Sequence, residues 1–230
     1  MKRLTKLSVM NFLTITVVIQ LSLVVNVLPQ EPIERFDFEG AYAEKTDTTI
    51  TTGVEIITTR EIYIAEFGNR MASYDTEVRK ITVAGQNIVE ETTSVTITEG
   101  NVATTYNPET MEGASITIDL MNTFAGMSDE EAQQFAEQMG DAMNTEVTEE
   151  GTGVVAGVTC NITNATTDLM GMITSTITWM YKKFVMRVMS EGSGTIIKEL
   201  VTLFNEGADF DPALLEVPEN ASITEMSSPY

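Results

Sequence analysis

The sequence predicts a mainly β chain, built as one strongly curved antiparallel sheet or half-barrel with a helical cover. Three observations carry that expectation. Segments rich in Thr, Val, Ile and Tyr alternate with period two over 33–117 and again beyond 153. Gly, Asn and Pro clusters interrupt them at hairpin spacing. Helical periodicity is confined to one substantial stretch, Ser128 to Met143. An antiparallel sheet of about ten strands must curl to cover its apolar face.

The first 30 residues read as an export signal. Lys2, Arg3 and Lys6 precede an apolar run from Leu7 to Leu28, so the cationic end stays inside while the apolar stretch enters the translocon. Roughly 20 apolar residues suffice to span a bilayer. Asn11, Gln20 and Asn26 weaken the run as a permanent anchor, and a cleaved signal over 1–30 is the expectation, with an uncleaved anchor as the alternative. Ala41-Tyr42-Ala43 has the small-x-small pattern of a cut site but lies well beyond the apolar core, so a cut nearer Gln30 suits the position better. No cysteine follows the run to take a lipid. Residues 31–230 then read as a single domain in the periplasm or outside the cell.

Within that domain Ile50, Thr52, Val54 and Ile56 fall on one face of an expected strand, and Ile62 and Ile64 oppose Tyr63 and Phe67 in the next. Gly68-Asn69 is expected to supply the positive φ of a tight hairpin leading into Arg70 to Thr82. Turns at Gly85-Gln86-Asn87, Glu99-Gly100-Asn101 and Asn107-Pro108-Glu109-Thr110 bound two further strands. In the helix, Ser128 and Glu131 form a capping box, and Ala132, Phe135, Ala136, Met139 and Met143 share a face. An acidic loop, Glu146 to Gly153, is expected next, then a strand from Gly153 to Ala165. Trp179 leads through Tyr181-Lys182-Lys183 to Phe184, Met186 and Val188, and Thr195 to Phe204 follows a Gly-rich turn. Asp211 and Pro212 cap one helical turn, Ala213 to Leu215, before a last short strand at Ala221 to Thr224.

Composition excludes several chemistries. The formal charge is −21, and removing the three signal cations leaves −24. Such a surface repels phosphate backbones and anionic headgroups, so nucleic acid is not an expected partner, and self-repulsion favours a monomer. There is no histidine, which removes Ser-His-Asp and Cys-His catalysis and imidazole metal sites. Cys160 is the sole cysteine and reads as a small buried hydrophobe. The carboxylates occur as sequence neighbours, which point to opposite faces of a strand, so no catalytic dyad is formed. Glu206, Asp209 and Asp211 lack the ligand order of a calcium loop. No catalytic residue, metal or cofactor is expected.

Four segments resemble a family of exported bacterial proteins of unknown function. Tyr63-Ile64-Ala65-Glu66-Phe67-Gly68 resembles its aromatic-x-acidic-aromatic-Gly hairpin, and Val155-Ala156-Gly157-Val158-Thr159-Cys160 its "iaGykC" strand. Thr178-Trp179-Met180-Tyr181-Lys182 resembles "tvWiyKg", and Leu215-Glu216-Val217-Pro218-Glu219 resembles "FeVPeG". Leu215, Asn220, Met180 and Lys183 depart from that pattern. The family is similar in layout to the periplasmic lipoprotein-localisation (Lol-type) carriers, whose curved half-barrel is covered by helices on its apolar concave side. The resemblance implies that the helix at 128–143 is the cover, and no arginine stands out for the carriers' release step. The expected function is to bind or carry an apolar ligand, a lipid or acyl chain, on Tyr63, Phe67, Phe135, Met139, Met143 and Trp179. The alternative is an envelope interaction or scaffold protein with no cavity.

Overall fold

In the computed structural model, residues 34–83, 86–117, 144–169 and 172–226 are described. The expected helix at 128–143 lies outside them, as does the segment 1–30. Twelve strands form one open, curved sheet: β1 (Ala41–Thr51), β2 (Val54–Ala65), β3 (Arg70–Val83), β4 (Gln86–Glu99), β5 (Val102–Tyr106), β6 (Glu112–Thr117), β7 (Asn144–Val155), β8 (Val158–Leu169), β9 (Met172–Tyr181), β10 (Phe184–Gly192), β11 (Thr195–Glu206) and β12 (Ser222–Met226). Their order is β12-β6-β5-β4-β3-β2-β1-β11-β10-β9-β8-β7. Two sequence-contiguous meanders, β1 to β6 and β7 to β11, are therefore joined through the antiparallel β1–β11 ladder. Every pairing is antiparallel except that of β12, which lies parallel to β6.

Alternation along β2 sends Ile62 and Ile64 to one face and Tyr63 to the other. Each face has its own core. On the first, Ala41, Ala43, Ile62, Ile64, Val155, Cys160, Phe184, Met186 and Val201 pack together with Phe38. On the second, Ala72, Val95, Ile97 and Tyr106 pack with Leu215. An irregular stretch covers each. Residues 34–40 lay Phe36 and Phe38 on the first core, where Phe38 meets Phe204 edge-on with ring centres 5.7 Å apart. Residues 207–221 lay Phe210, Leu215 and Val217 on the second. Asp211 accepts a hydrogen bond from Ala213 N and caps the single turn Pro212–Leu215, as its sequence requires.

Several expectations need correction. The strand expected through Ile50, Thr52, Val54 and Ile56 is broken by the turn Thr52-Gly53, where Gly53 takes φ +77°. The strand expected from Gly153 to Ala165 is likewise broken by Ala156-Gly157, both left-handed, and the acidic stretch expected as a loop is β7. β7 occupies an edge of the sheet, where side chains reach water on both faces and glutamates cost little. Between β2 and β3 the positive φ values fall on Glu66, Phe67 and Gly68, at 53°, 57° and 85°, while Asn69 is right-handed. That turn is held from outside: Phe67 N donates to Glu39 O, and Phe67 O accepts from Arg35 N and Phe36 N. Ala41 and Ala43 are fully buried in a central strand, so a cut at Ala41-Tyr42-Ala43 would remove the 34–40 cover and part of the core.

Candidate functional site: an apolar floor bordered by an ionic layer

Among the described residues the first face carries the larger of the two buried apolar clusters. Ile64, Met186, Val201 and Cys160, from β2, β10, β11 and β8, are the largest side chains with under 2% exposure. Trp179 stands half-buried at the rim, with the Arg187 guanidinium 4.5 Å from its ring centre. Gly153 opposite keeps that place open, since a Cβ there would sit 3.2 Å from the indole nitrogen. Burial pushes the Cys160 thiol up, which leaves it as an unreactive packing group.

One residue pair along from this floor the same face turns ionic. Lys45 and Asp47 continue the positions of Ala41 and Ala43 in β1, and Arg60 continues Ile64 and Ile62 in β2. Across the ladders Arg60 pairs with Lys45 on one side and Asp75 on the other, and Asp47 pairs with Glu199. Lys45 Nζ lies 2.6 Å from Glu199 and 3.4 Å from Asp47. Arg60 Nε lies 3.0 Å from Asp47 and 3.6 Å from Asp75. Ser73 donates to Asp75. Burial raises the Asp47 carboxyl despite the two cations beside it. The layer is not internally saturated, because Arg60 Nε and Asp47 Oδ1 are buried without an aligned hydrogen bond.

The residues expected to bind ligand are not all brought together. Tyr63 belongs to the second face, where it meets Tyr42, Tyr74 and Phe210 with ring centres 5.1 to 5.7 Å apart. Trp179 belongs to the first. Phe67 is 38% exposed in the β2–β3 turn and serves through its backbone. Phe135, Met139 and Met143 lie outside the described residues. Sequence reading missed Lys45, Asp47, Arg60, Asp75 and Glu199. The signal was present in β2, where Arg60 falls in step with Ile56, Ile62 and Ile64.

The second face is closed by polar contacts. Tyr74 donates to Leu214 O at 3.0 Å, and Tyr63 and Tyr42 donate to Glu61 and Glu44. Burial and then the Glu61 carboxylate push the Tyr63 phenol up to about 12. Further along lies an open depression of about 260 Å³, walled by Glu44, Thr46, Thr59, Glu61 and Thr76 and reached also by Lys45 and Arg60. A second, of about 340 Å³, lies at the hairpin ends by Ile50, Glu55, Lys80 and Val89. Among the described residues no helix is long and apolar enough to cross a membrane, and no group of three or more His, Cys, Asp or Glu is placed to hold a metal ion.

No protein-family model matches the chain, and no curated protein does. Several solved structures are similar to it at low identity. An uncharacterized conserved protein from Thermus thermophilus is 10% identical with a TM-score of 0.46, over 86% of this chain and 98% of that one. MucB, solved in complex with MucA(peri), is 10% identical with a TM-score of 0.38, over 80% of this chain and 57% of that one. LprF from Mycobacterium bovis is 10% identical with a TM-score of 0.34, over 82% and 92%.

Proposed function

We propose that this chain is a non-enzymatic, exported envelope protein that binds or carries an apolar ligand, such as a lipid or acyl chain, against the first face of its curved sheet. One observation supports the reading: the apolar floor is contributed by both meanders, and among the described residues only the stretch 34–40 overlies it. Each methylene moved from water onto such a floor gains about 0.8 kcal/mol, so an acyl chain supplies enough driving force without specific polar contacts. The chain acts as a monomer with no nucleic-acid partner, in keeping with its charge.

Native mass spectrometry of protein purified from its own envelope tests this, with Trp179, the only tryptophan, as a second reporter at the rim. Retained lipid masses and a shift of Trp179 emission on adding a 16-carbon fatty acid are expected. Absence of both overturns the reading. The edge strand β7 favours an interaction protein as the alternative, because Val147 and Val154 are 63% and 71% exposed there. A stoichiometric protein adduct without lipid would select it.

A further inference from the structure

We infer that Arg60 forms a subsite for the singly charged anionic head of an amphiphile, a carboxylate or a monoanionic phosphodiester, whose chain lies on the apolar floor; this rests on the function proposed above. An arginine on the apolar face of a central strand is costly to desolvate unless it is paired. Asp47 and Asp75 supply that pairing, and their approach is through Nε, at 3.0 and 3.6 Å. Nη1 and Nη2 form no hydrogen bond among the described residues, and the side chain is 34% exposed. The guanidinium is thus ion-paired at Nε, without an aligned hydrogen bond there, and its fork is available to two acceptor oxygens of one anion.

Its place in the fold sets the class of ligand. Arg60 is one position along the same face of β2 from Ile62, which is buried, so the chain of a head bound at Nη would meet the floor in place of the Phe36 and Phe38 side chains that lie on it. Lys45 is engaged by Glu199 at 2.6 Å and leaves Arg60 as the donor. Two cations here face three carboxylates, Asp47, Asp75 and Glu199. The net charge of −1 in this cluster repels a dianionic phosphate monoester about twice as strongly as a monoanion, so the fork selects the singly charged head.

The test compares a fluorescent 16-carbon fatty acid with its methyl ester on the full chain. Roughly tenfold tighter binding of the acid is expected, the worth of one charged hydrogen-bonded contact. In Arg60→Gln that preference should vanish while ester affinity stays. Because Arg60→Gln leaves Asp47 and Asp75 facing each other, the double variant Arg60→Gln/Asp75→Asn is measured beside it. Displacement of the acid by a lysophosphatidylglycerol rather than by a lysophosphatidic acid would assign a phosphodiester head. Displacement by neither assigns a carboxylate. Equal binding of acid and ester by the unmodified chain overturns the subsite and leaves the proposed function standing. Binding of neither probe overturns both.

Discussion

The two cores packed on opposite faces of β2 are closed by different means. On the first face Ile64, Met186, Val201 and Cys160 lie under the apolar side chains of Phe36 and Phe38, stacked at a ring separation of 5.2 Å, while the backbone of 34–40 is tied to the turns at Phe67 and Lys182. On the second, the seal is polar: Tyr74 holds Leu214 O, Asp211 caps the turn that carries Leu215, and tyrosines line the contact. The side-chain contacts of the first seal are non-directional, so an acyl chain on the floor would exchange one apolar contact for another. A hydrogen-bonded seal leaves unsatisfied groups when it opens. The second face is accordingly closed by side chains that must stay paired, whereas the first is closed by apolar side chains carried on a backbone-tied stretch.

The comparison can be broken by substitution. Met186→Ala should cost about 3 kcal/mol and Leu215→Ala about 2 kcal/mol, read as shifts of the denaturation midpoint. Equal losses would mean that the second seal is as much core as the first. Gly68→Ala should cost about 2 kcal/mol, because its Cβ would meet Phe36 at 2.6 Å and its φ is +85°. Proteolysis near residue 36 should rise in parallel, and an unchanged cleavage rate would show that the cover is held elsewhere. Tyr74→Phe should cost about 1 kcal/mol through the lost bond to Leu214 O.

Smaller effects sharpen the picture. Lys182 and Lys183 occupy the β9–β10 turn with φ of 46° and 66°, whereas the described turns at 52–53, 100–101, 156–157 and 193–194 each include glycine. Lys183→Gly should stabilise by about 0.5 to 1 kcal/mol, since its ion pair with Asp37 is more than half exposed and contributes little. A destabilised variant would show that this pair anchors the 34–40 cover. The raised phenol of Tyr63 sets an alkaline limit. It remains protonated in the folded chain after the unfolded one has ionised near 10, so its stability contribution is whole below about 10 and is lost as pH rises through about 12. Ultraviolet titration of Tyr63→Phe against the parent should show one late-ionising phenol fewer.

The architecture was legible because alternation and turn residues are local properties. Asp211-Pro212 announced its cap, and Glu99-Gly100-Asn101 its hairpin, from side-chain chemistry alone. Thr52-Gly53 was not legible, because threonine serves strand and turn alike and the period-two pattern runs through it. The glutamates of β7 looked like a loop because edge position is decided by the partner strand, which is distant in sequence. Tyr63 and Trp179 are both aromatic residues flanked by strand formers, and nothing local says that they end on opposite faces. The ionic layer was hidden for a related reason: Asp47, Arg60, Asp75 and Glu199 come from four strands, and only the register of three ladders makes them neighbours.

The β1–β11 ladder also governs how the chain reaches this state. Within each meander, strands find partners across turns of a few residues, which close quickly and at little entropic cost. Lys45 and Glu199 meet across a separation of 154 residues, and no earlier ladder brings the two meanders together. The apolar floor draws on both, so neither half can complete it alone. The assembly has a high contact order and folds slowly for its size, and the apolar floor proposed to take a ligand is among the last features to exist.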